Sequence, residues 1–354
     1  MNAVVRSVDV GFGNVKYVKA VKEGKPTCGW FPSISYLGST ASSGDGPGQK
    51  RKTVVVPVAG LFYEVGPEIA LATDRYLARH QHDDFTSTNE YQALLAGALY
   101  YMGVETIDLL VVGLPVGQFL KRRASLEKQL TREYDLGHGR KVIVKRVMAV
   151  AQPQGAQVDD LVGTGHQEAR NVVARSLVVD VGYRTFDWLV TRGLRVEGKV
   201  SNSVPLGVCA ILTEIARKIG SDIGEQFTHL EAIDEALRNG KTLRLYGTNY
   251  DLKQFNDLIQ AMADQAVSAM IQQMDATFNL EGVLLVGGGA HLYRGALKRK
   301  FPKHVIREAA ASMMANVRGF QLIGEQFIKE QAQKTNEEEE ESTQRSDVAE
   351  GREV

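Results

Sequence analysis

Val8-Asp9-Val10-Gly11-Phe12-Gly13-Asn14-Val15-Lys16 opens the chain, and Val179-Asp180-Val181-Gly182-Tyr183-Arg184-Thr185-Phe186-Asp187 repeats its pattern in the second half. In each copy an apolar, β-branched strand delivers an aspartate, turns at a glycine and continues as another strand. Residues 3–10 and 14–21 make the first pair around the turn Gly11-Phe12-Gly13; a second strand-rich unit starts at Ser176. A match from Val8 to Phe12 and from Val179 to Tyr183, in the same local setting twice, points to an internal duplication. The chemistry of the pattern is readable too. A carboxylate ending a buried strand can hold a metal ion through water, the glycines let backbone N–H groups approach an anion, and Lys16 is within reach of a phosphate. A purely structural hairpin with a glycine turn and a surface lysine satisfies the first copy equally well.

Outward from these hairpins the chain alternates strands and helices. Residues 88–102 carry helical periodicity behind a Thr88 cap with Glu90 in the first turn. Residues 107–116 (IDLLVVGLPV) are a continuous apolar run, as in a strand buried on both faces. Residues 118–133 read as an amphipathic helix and 140–150 as strand. In the second half, helices are expected at about 207–219, 225–239 and 251–278, the last with core methionines, before the buried strand and triple-glycine turn of 283–293. The Gly/Ser-rich, basic stretch 39–52 reads as an exposed loop. Two β-rich-then-helical units in succession make an α/β protein of two related halves.

Composition narrows the function classes. Lys plus Arg and Asp plus Glu both total 42, and 44% of residues are hydrophobic, as in a globular protein. There is no run of ~20 apolar residues, and the N-terminus lacks a signal peptide's apolar core, so a cytoplasmic protein without a membrane span is expected. Cys28 and Cys209 are far apart and without neighbouring ligands, which argues against a disulfide framework or a structural zinc site. Residues 329–354 hold nine acidic and four basic side chains, including Glu337 to Glu341, leaving the body with 38 basic against 33 acidic residues. So polar a tail is expected to be disordered beyond about residue 333. A body this mildly basic gives little support for direct DNA binding. The histidines are dispersed, His80 and His82 forming one polar patch; Lys121-Arg122-Arg123 reads as a solvated helix face or a contact to an acidic neighbour; Trp30 and Trp188 read as packing residues.

Val286-Gly287-Gly288-Gly289-Ala290 lies between a strand and a helix, where glycines let a flat ring or a phosphate approach the backbone. The spacing is neither the dinucleotide fingerprint nor a P-loop. Its place after two aspartate hairpins, with Gln152-Pro153-Gln154-Gly155-Ala156 between them and Ala315-Asn316-Val317-Arg318-Gly319 behind, resembles the actin-like ATPase superfamily, most closely the ParM/StbA group of plasmid-segregation actins. The resemblance covers roughly residues 1–328. The two hairpins look like the family's two phosphate loops, 152–156 and 315–319 like its connecting segments, and 287–290 like its adenosine segment.

That resemblance implies a duplicated actin-like (ribonuclease H-like) α/β fold, with domain I at 1–155 and domain II at 156–328 around a nucleotide cleft, and an acidic tail at 329–354. Asp9 and Asp180 would hold Mg²⁺ through its waters. The backbone of Gly11, Phe12, Gly13 and Asn14, with Lys16, and that of Gly182, Tyr183, Arg184 and Thr185 would cradle the phosphates of ATP, or of GTP in its place. Gln154 would orient the attacking water; Gly287, Gly288, Gly289 and Ala290 would face the adenosine, and Glu214 or Lys218 the ribose or base. The implied function is ATP hydrolysis coupled to dynamic filaments of the chain itself, engaging a DNA-bound adaptor in plasmid segregation. A small-molecule kinase is the first alternative on this fold; Asp159-Asp160 is the nearest approach to its substrate-activating carboxylate and reads as a helix start. A non-polymerising regulatory ATPase, scaffold or chaperone relative is the second, but the family's chaperones append a large substrate-binding region where this chain has a short acidic tail. Membrane-linked division actins carry an amphipathic targeting end; residues 318–333 are amphipathic, but the glutamates that follow would be repelled by an anionic bilayer.

Overall fold

The structure is a computed structural model that describes residues 3–38, 51–72, 84–163, 175–274 and 279–350, with the side chains of the last helix described as far as Glu337. His80, His82, residues 275–278 and most of the 39–52 loop lie outside the described residues.

Two sheets carry the fold. In the first, β1 (Val5–Val10), β2 (Asn14–Lys22) and β3 (Lys25–Pro32) form an antiparallel meander, and β4 (Leu109–Leu114) and β5 (Val147–Ala151) add in parallel beyond β1, giving the order β5-β4-β1-β2-β3. Helix α1 (Asn89–Met102) covers one face of this sheet; the Thr88 hydroxyl caps it by accepting from the Tyr91 amide at 3.2 Å, and Gly103 ends it in the left-handed region. Every residue of β4 is buried, as its apolar run requires. Helix α2 (Val116–Leu130) follows directly, Pro115 marking its start.

The second sheet repeats the first. β6 (Arg175–Val181) pairs antiparallel with β7 (Phe186–Arg192), which pairs with β8 (Arg195–Val196) and β9 (Asn202–Val204). β10 (Leu280–Val286) and β11 (Ile306–Glu308) add in parallel beyond β6, so the order β8-β7-β6-β10-β11 matches that of the first sheet strand for strand. Helices α4 (Val208–Ile223), α5 (Leu230–Arg238), α6 (Asn256–Gln273) and α7 (Ala290–Lys300) build the second core, with Trp188, Phe186 and Tyr293 fully buried at its centre. The expected 251–278 helix opens as a short 3-10 turn, Leu252–Phe255, before α6. The duplication extends to hydrogen bonding: the Gly11 amide donates to the Asn14 carbonyl at 3.2 Å, and Gly182 to Thr185 at 2.9 Å.

The helix after each sheet packs on the other sheet. α3 (Gln152–Gly163) lays Ala156 against Val178, Leu189 and Leu284 of the second sheet. α8 (Ala315–Glu350) lays Phe320 against Val5, Leu109, Val111 and Val150 of the first. The two helices cross at Gly155 and Gly319, where a methyl group on Gly319 would fall 1.7 Å from the Gly155 carbonyl oxygen. This crossing joins the halves and leaves a cleft between the two hairpins.

The tail departs from the expectation of disorder: α8 continues as helix to Glu350. Low apolar content bears on burial, but helix formation here needs only propensity. Residues 329–350 contain no Gly or Pro, are rich in Glu and Gln, and extend a helix already nucleated by packing.

Candidate functional site

The two strand-ending aspartates face a common cleft of about 590 Å³, within the range of small-ligand sites. Each is fixed by an amide from the helix that follows its own sheet. The Gln152 side-chain amide, at the start of α3, donates to Asp9 Oδ1 at 2.7 Å; the Asn316 amide, at the start of α8, donates to Asp180 Oδ2 at 2.6 Å. Lys16, directly across β2 from Asp9, reaches Asp9 Oδ2 at 2.9 Å. The equivalent position across from Asp180 is Asp187.

Burial of these groups sets their charge. Desolvation pushes Asp180 up to about 6, the Asn316 hydrogen bond and Lys16 only partly opposing it. Asp187 goes up to about 7 through desolvation and the neighbouring Asp180. Burial works against the Lys16 ammonium, yet Asp9 and then Asp180 outweigh it and hold the lysine above its ordinary value.

The glycine segment lies behind Asp180. Gly287 has φ +89°, and a Cβ there would fall 2.3 Å from Asp180 Oδ1, so only glycine allows this approach. The Gly289 amide donates to the Val181 carbonyl at 2.9 Å, stitching the segment to the second hairpin. Across the cleft the two turns touch: a Cβ on Gly13 would fall 2.6 Å from Tyr183 Cβ, and the Arg184 guanidinium lies 5.0 Å above the Phe12 ring.

Most of the residues expected from the sequence therefore meet in one place. Asp9, Gly11 to Asn14, Lys16, Asp180, Gly182 to Thr185 and Gly287 to Gly289 all line the cleft, and Ala290 is buried directly behind it at the start of α7. Three expectations do not hold. Gln154 does not line the cleft; Gln152 does, because two residues turn a helix by about 200° and put Gln154 on the opposite face. Glu214 and Lys218 lie outside it on α4, Glu214 in an exposed ion pair with Arg217 at 2.8 Å. Their place is taken by α5, whose Glu231, Asp234, Glu235 and Arg238 share one face at i, i+3, i+4 and i+7, a spacing legible in the sequence. Arg238 bridges Asp234 at 3.0 Å and the Gly288 carbonyl at 2.8 Å. Trp188 is core, but Trp30, 48% exposed, lines the cleft opposite Lys16.

The donor set fits a divalent cation carried in with an anion. The cleft is lined by six carboxylates (Asp9, Asp180, Asp187, Glu231, Asp234, Glu235) against three cations (Lys16, Arg184, Arg238), so a polyphosphate needs a counter-charge to enter. Asn316 Oδ1 is buried and lacks a hydrogen-bond partner among the described residues, a hard acceptor beside Asp180. Among the described residues no three of His, Cys, Asp and Glu converge as a direct metal site. Asp159 and Asp160 are engaged by Arg318 and by Arg307, the latter at 2.9 Å, away from the cleft.

No helix among the described residues is long and apolar enough to cross a membrane. A search of curated protein sequences finds no match. Solved structures resemble the chain throughout. The archaeal actin homologue Ta0583 superposes with a TM-score of 0.75 at 21% identity, covering 91% of this chain and 99% of that one. A subunit of the 15-stranded ParM filament of Clostridium botulinum gives 0.72 at 18% identity, covering 92% and 100%. Ta0583 in complex with ADP gives 0.69 at 20% identity, covering 90% and 98%. Residues 7–155 match the family model for the N-terminal domain of actin-like proteins, and residues 178–299 match the C-terminal model of the archaeal actin homologues described as MreB-like. With both halves matched in order, and with the fold those models describe, the chain belongs to the actin-like superfamily.

Proposed function

We propose that this protein binds ATP with Mg²⁺ in the cleft, hydrolyses it, and assembles with copies of itself into dynamic filaments. The observation that carries the reading is the mirrored pair of carboxylates, Asp9 held by Gln152 and Asp180 held by Asn316, facing one another beside the glycine segment. Asp9 and Asp180 would hold the metal through its waters, with Asn316 Oδ1 accepting from that shell. When bound, the metal neutralises charge on the β- and γ-phosphates. Lys16 adds a positive charge next to Asp9, and the two hairpin turns present backbone to the phosphates. Gln152, which donates to Asp9 at 2.7 Å, would orient the attacking water. Such positioning suits an amide, because phosphoryl transfer to water depends chiefly on alignment and electrostatics. The α5 face and Gly287–Gly289 would take the nucleoside, with GTP a competitor to be tested. Filament formation draws support from the ParM filament among the neighbours, and the reading of plasmid segregation through a DNA-bound adaptor rests on the ParM-like order of the motifs. A kinase reading loses its candidate carboxylate, since Asp159 and Asp160 are paired outside the cleft.

Light scattering after addition of Mg-ATP, with phosphate release followed in parallel, tests both halves of the proposal. A rise above a critical protein concentration, then decay as phosphate appears, is the expected result. Phosphate release at constant scattering overturns the filament, and absence of both nucleotide binding and phosphate release overturns the ATPase.

A further inference from the structure

Helix α2 is held at its two ends by different halves of the molecule. Its body belongs to the first half: Leu126 and Leu130 are buried in the first core, and Glu127 Oε1 accepts from the Ala149 amide of β5 at 2.9 Å. Its N-terminus has no side-chain cap of its own, because the residue before it is Pro115. The first two amides are instead satisfied by the second sheet. Val116 N donates to Asp187 Oδ1 at 2.9 Å, and Gly117 N donates to Ser203 Oγ at 3.2 Å. Asp187 and Ser203 face each other across β7 and β9. The approach is close: a Cβ on Gly117 would fall 2.7 Å from Ser203 Oγ, so the hydroxyl would have to turn away from the Gly117 amide to make room. The Val116 side chain packs into the cluster of Val178, Leu189 and Leu284.

We infer that Asp187 and Ser203 are positioning residues that set the relative orientation of the two halves, by capping α2 from the opposite side of the cleft. A helix N-terminus favours a carboxylate through its free amides and its dipole. Here the carboxylate comes from the strand that continues the second hairpin, directly across from Asp180. Any movement of that hairpin is thereby transmitted to α2, and through β5 to Gln152 and Asp9. Deepening the nucleotide-cleft reading and resting on it, the inference makes α2 the strut that aligns Asp9 with Asp180.

The test uses the full chain. Spin labels on exposed Lys128 in the first half and exposed Arg217 in the second report the interdomain distance without nucleotide. Amide exchange at residues 116–119 reports the cap itself. Asp187→Ala is expected to broaden the distance distribution and speed exchange at Val116 about tenfold, whereas Asp187→Asn, which keeps an acceptor oxygen, restores both. Gly117→Ala reaches the same contact from the first half and serves if Asp187→Ala fails to fold. With Mg-ATP, Asp187→Ala should lower kcat by about tenfold or more while changing nucleotide affinity less, as misalignment of a formed site does. Unchanged distances and exchange in both Asp187→Ala and Gly117→Ala overturn the strut, whatever the nucleotide results. Failure of the parent protein to bind nucleotide overturns the cleft reading while leaving the distance result to stand.

Discussion

Gln152 and Asn316 play the same part in the two halves, the one the first residue of α3 and the other the second of α8, and each grips its half's aspartate. Gln152→Ala should therefore lower turnover of Mg-ATP by about 10²-fold with a smaller change in nucleotide affinity, on the scale seen when a positioning group is lost. Gln154→Ala should leave both near the parent. Steady-state kinetics beside equilibrium nucleotide titration separate the two, and equal loss in the two variants would return the role to the helix start as a whole. Asp187 offers a pH test. Its folded value of about 7 lies above the ordinary 3.8 of aspartate, so between about pH 4 and 7 the folded protein keeps a proton that the unfolded chain has released. The protonated carboxyl's contribution is thus fully present below about pH 4 and is lost as pH rises through 7. Asp187→Asn removes this dependence while keeping an acceptor for α2. The stability of the parent relative to Asp187→Asn should fall by a few kcal/mol between pH 5 and pH 8 in chemical denaturation without metal.

At the scale of elements, the crossing of α3 and α8 carries the connection between halves, and its geometry depends on two glycines. A methyl at Gly319 would sit 1.7 Å from the backbone oxygen of Gly155 and cannot be relieved by a rotamer change. Gly319→Ala should force the helices apart, cost about 3 kcal/mol or more, and lower the thermal midpoint by about 5 °C in calorimetry. An unchanged midpoint would mean the crossing slides freely. The same elements show what was legible beforehand. The hairpins were readable because a buried strand ending in Asp and turning at Gly has a short local signature, and its repetition fixed the duplication. The amphipathic face of α5 was also written in its i, i+3, i+4, i+7 carboxylates and arginine, but nothing local says which of several helices a cleft will meet. Choosing between Gln152 and Gln154 required the phase of α3 relative to β1, a tertiary fact; Pro153, a first-turn residue, was the signal that the helix begins at Gln152. The partners of α2 were invisible, since Asp187 and Ser203 lie far from it in sequence.

For the whole molecule, the question is where the folded body ends. α8 is packed on the first sheet through Phe320, Ile323, Phe327 and Ile328, and Arg146 lies 4.6 Å above the Phe327 ring. Residues 329–337 beyond it are exposed. A polar, solvent-exposed helix of this kind is marginal in water and frays at little cost to the body. Deleting residues 330–354 should therefore leave the thermal midpoint within about 2 °C of the parent and turnover of Mg-ATP close to it. The electrostatics change more than the fold. The truncated chain keeps 39 basic against 33 acidic residues where the full chain is balanced, so copies approaching one another repel more strongly at low ionic strength. Scattering by the truncated protein should accordingly show a higher critical concentration at low salt, converging on the parent's as salt rises. A truncated chain that melts well below the parent would instead place the distal half of α8 among the contacts that hold the body together.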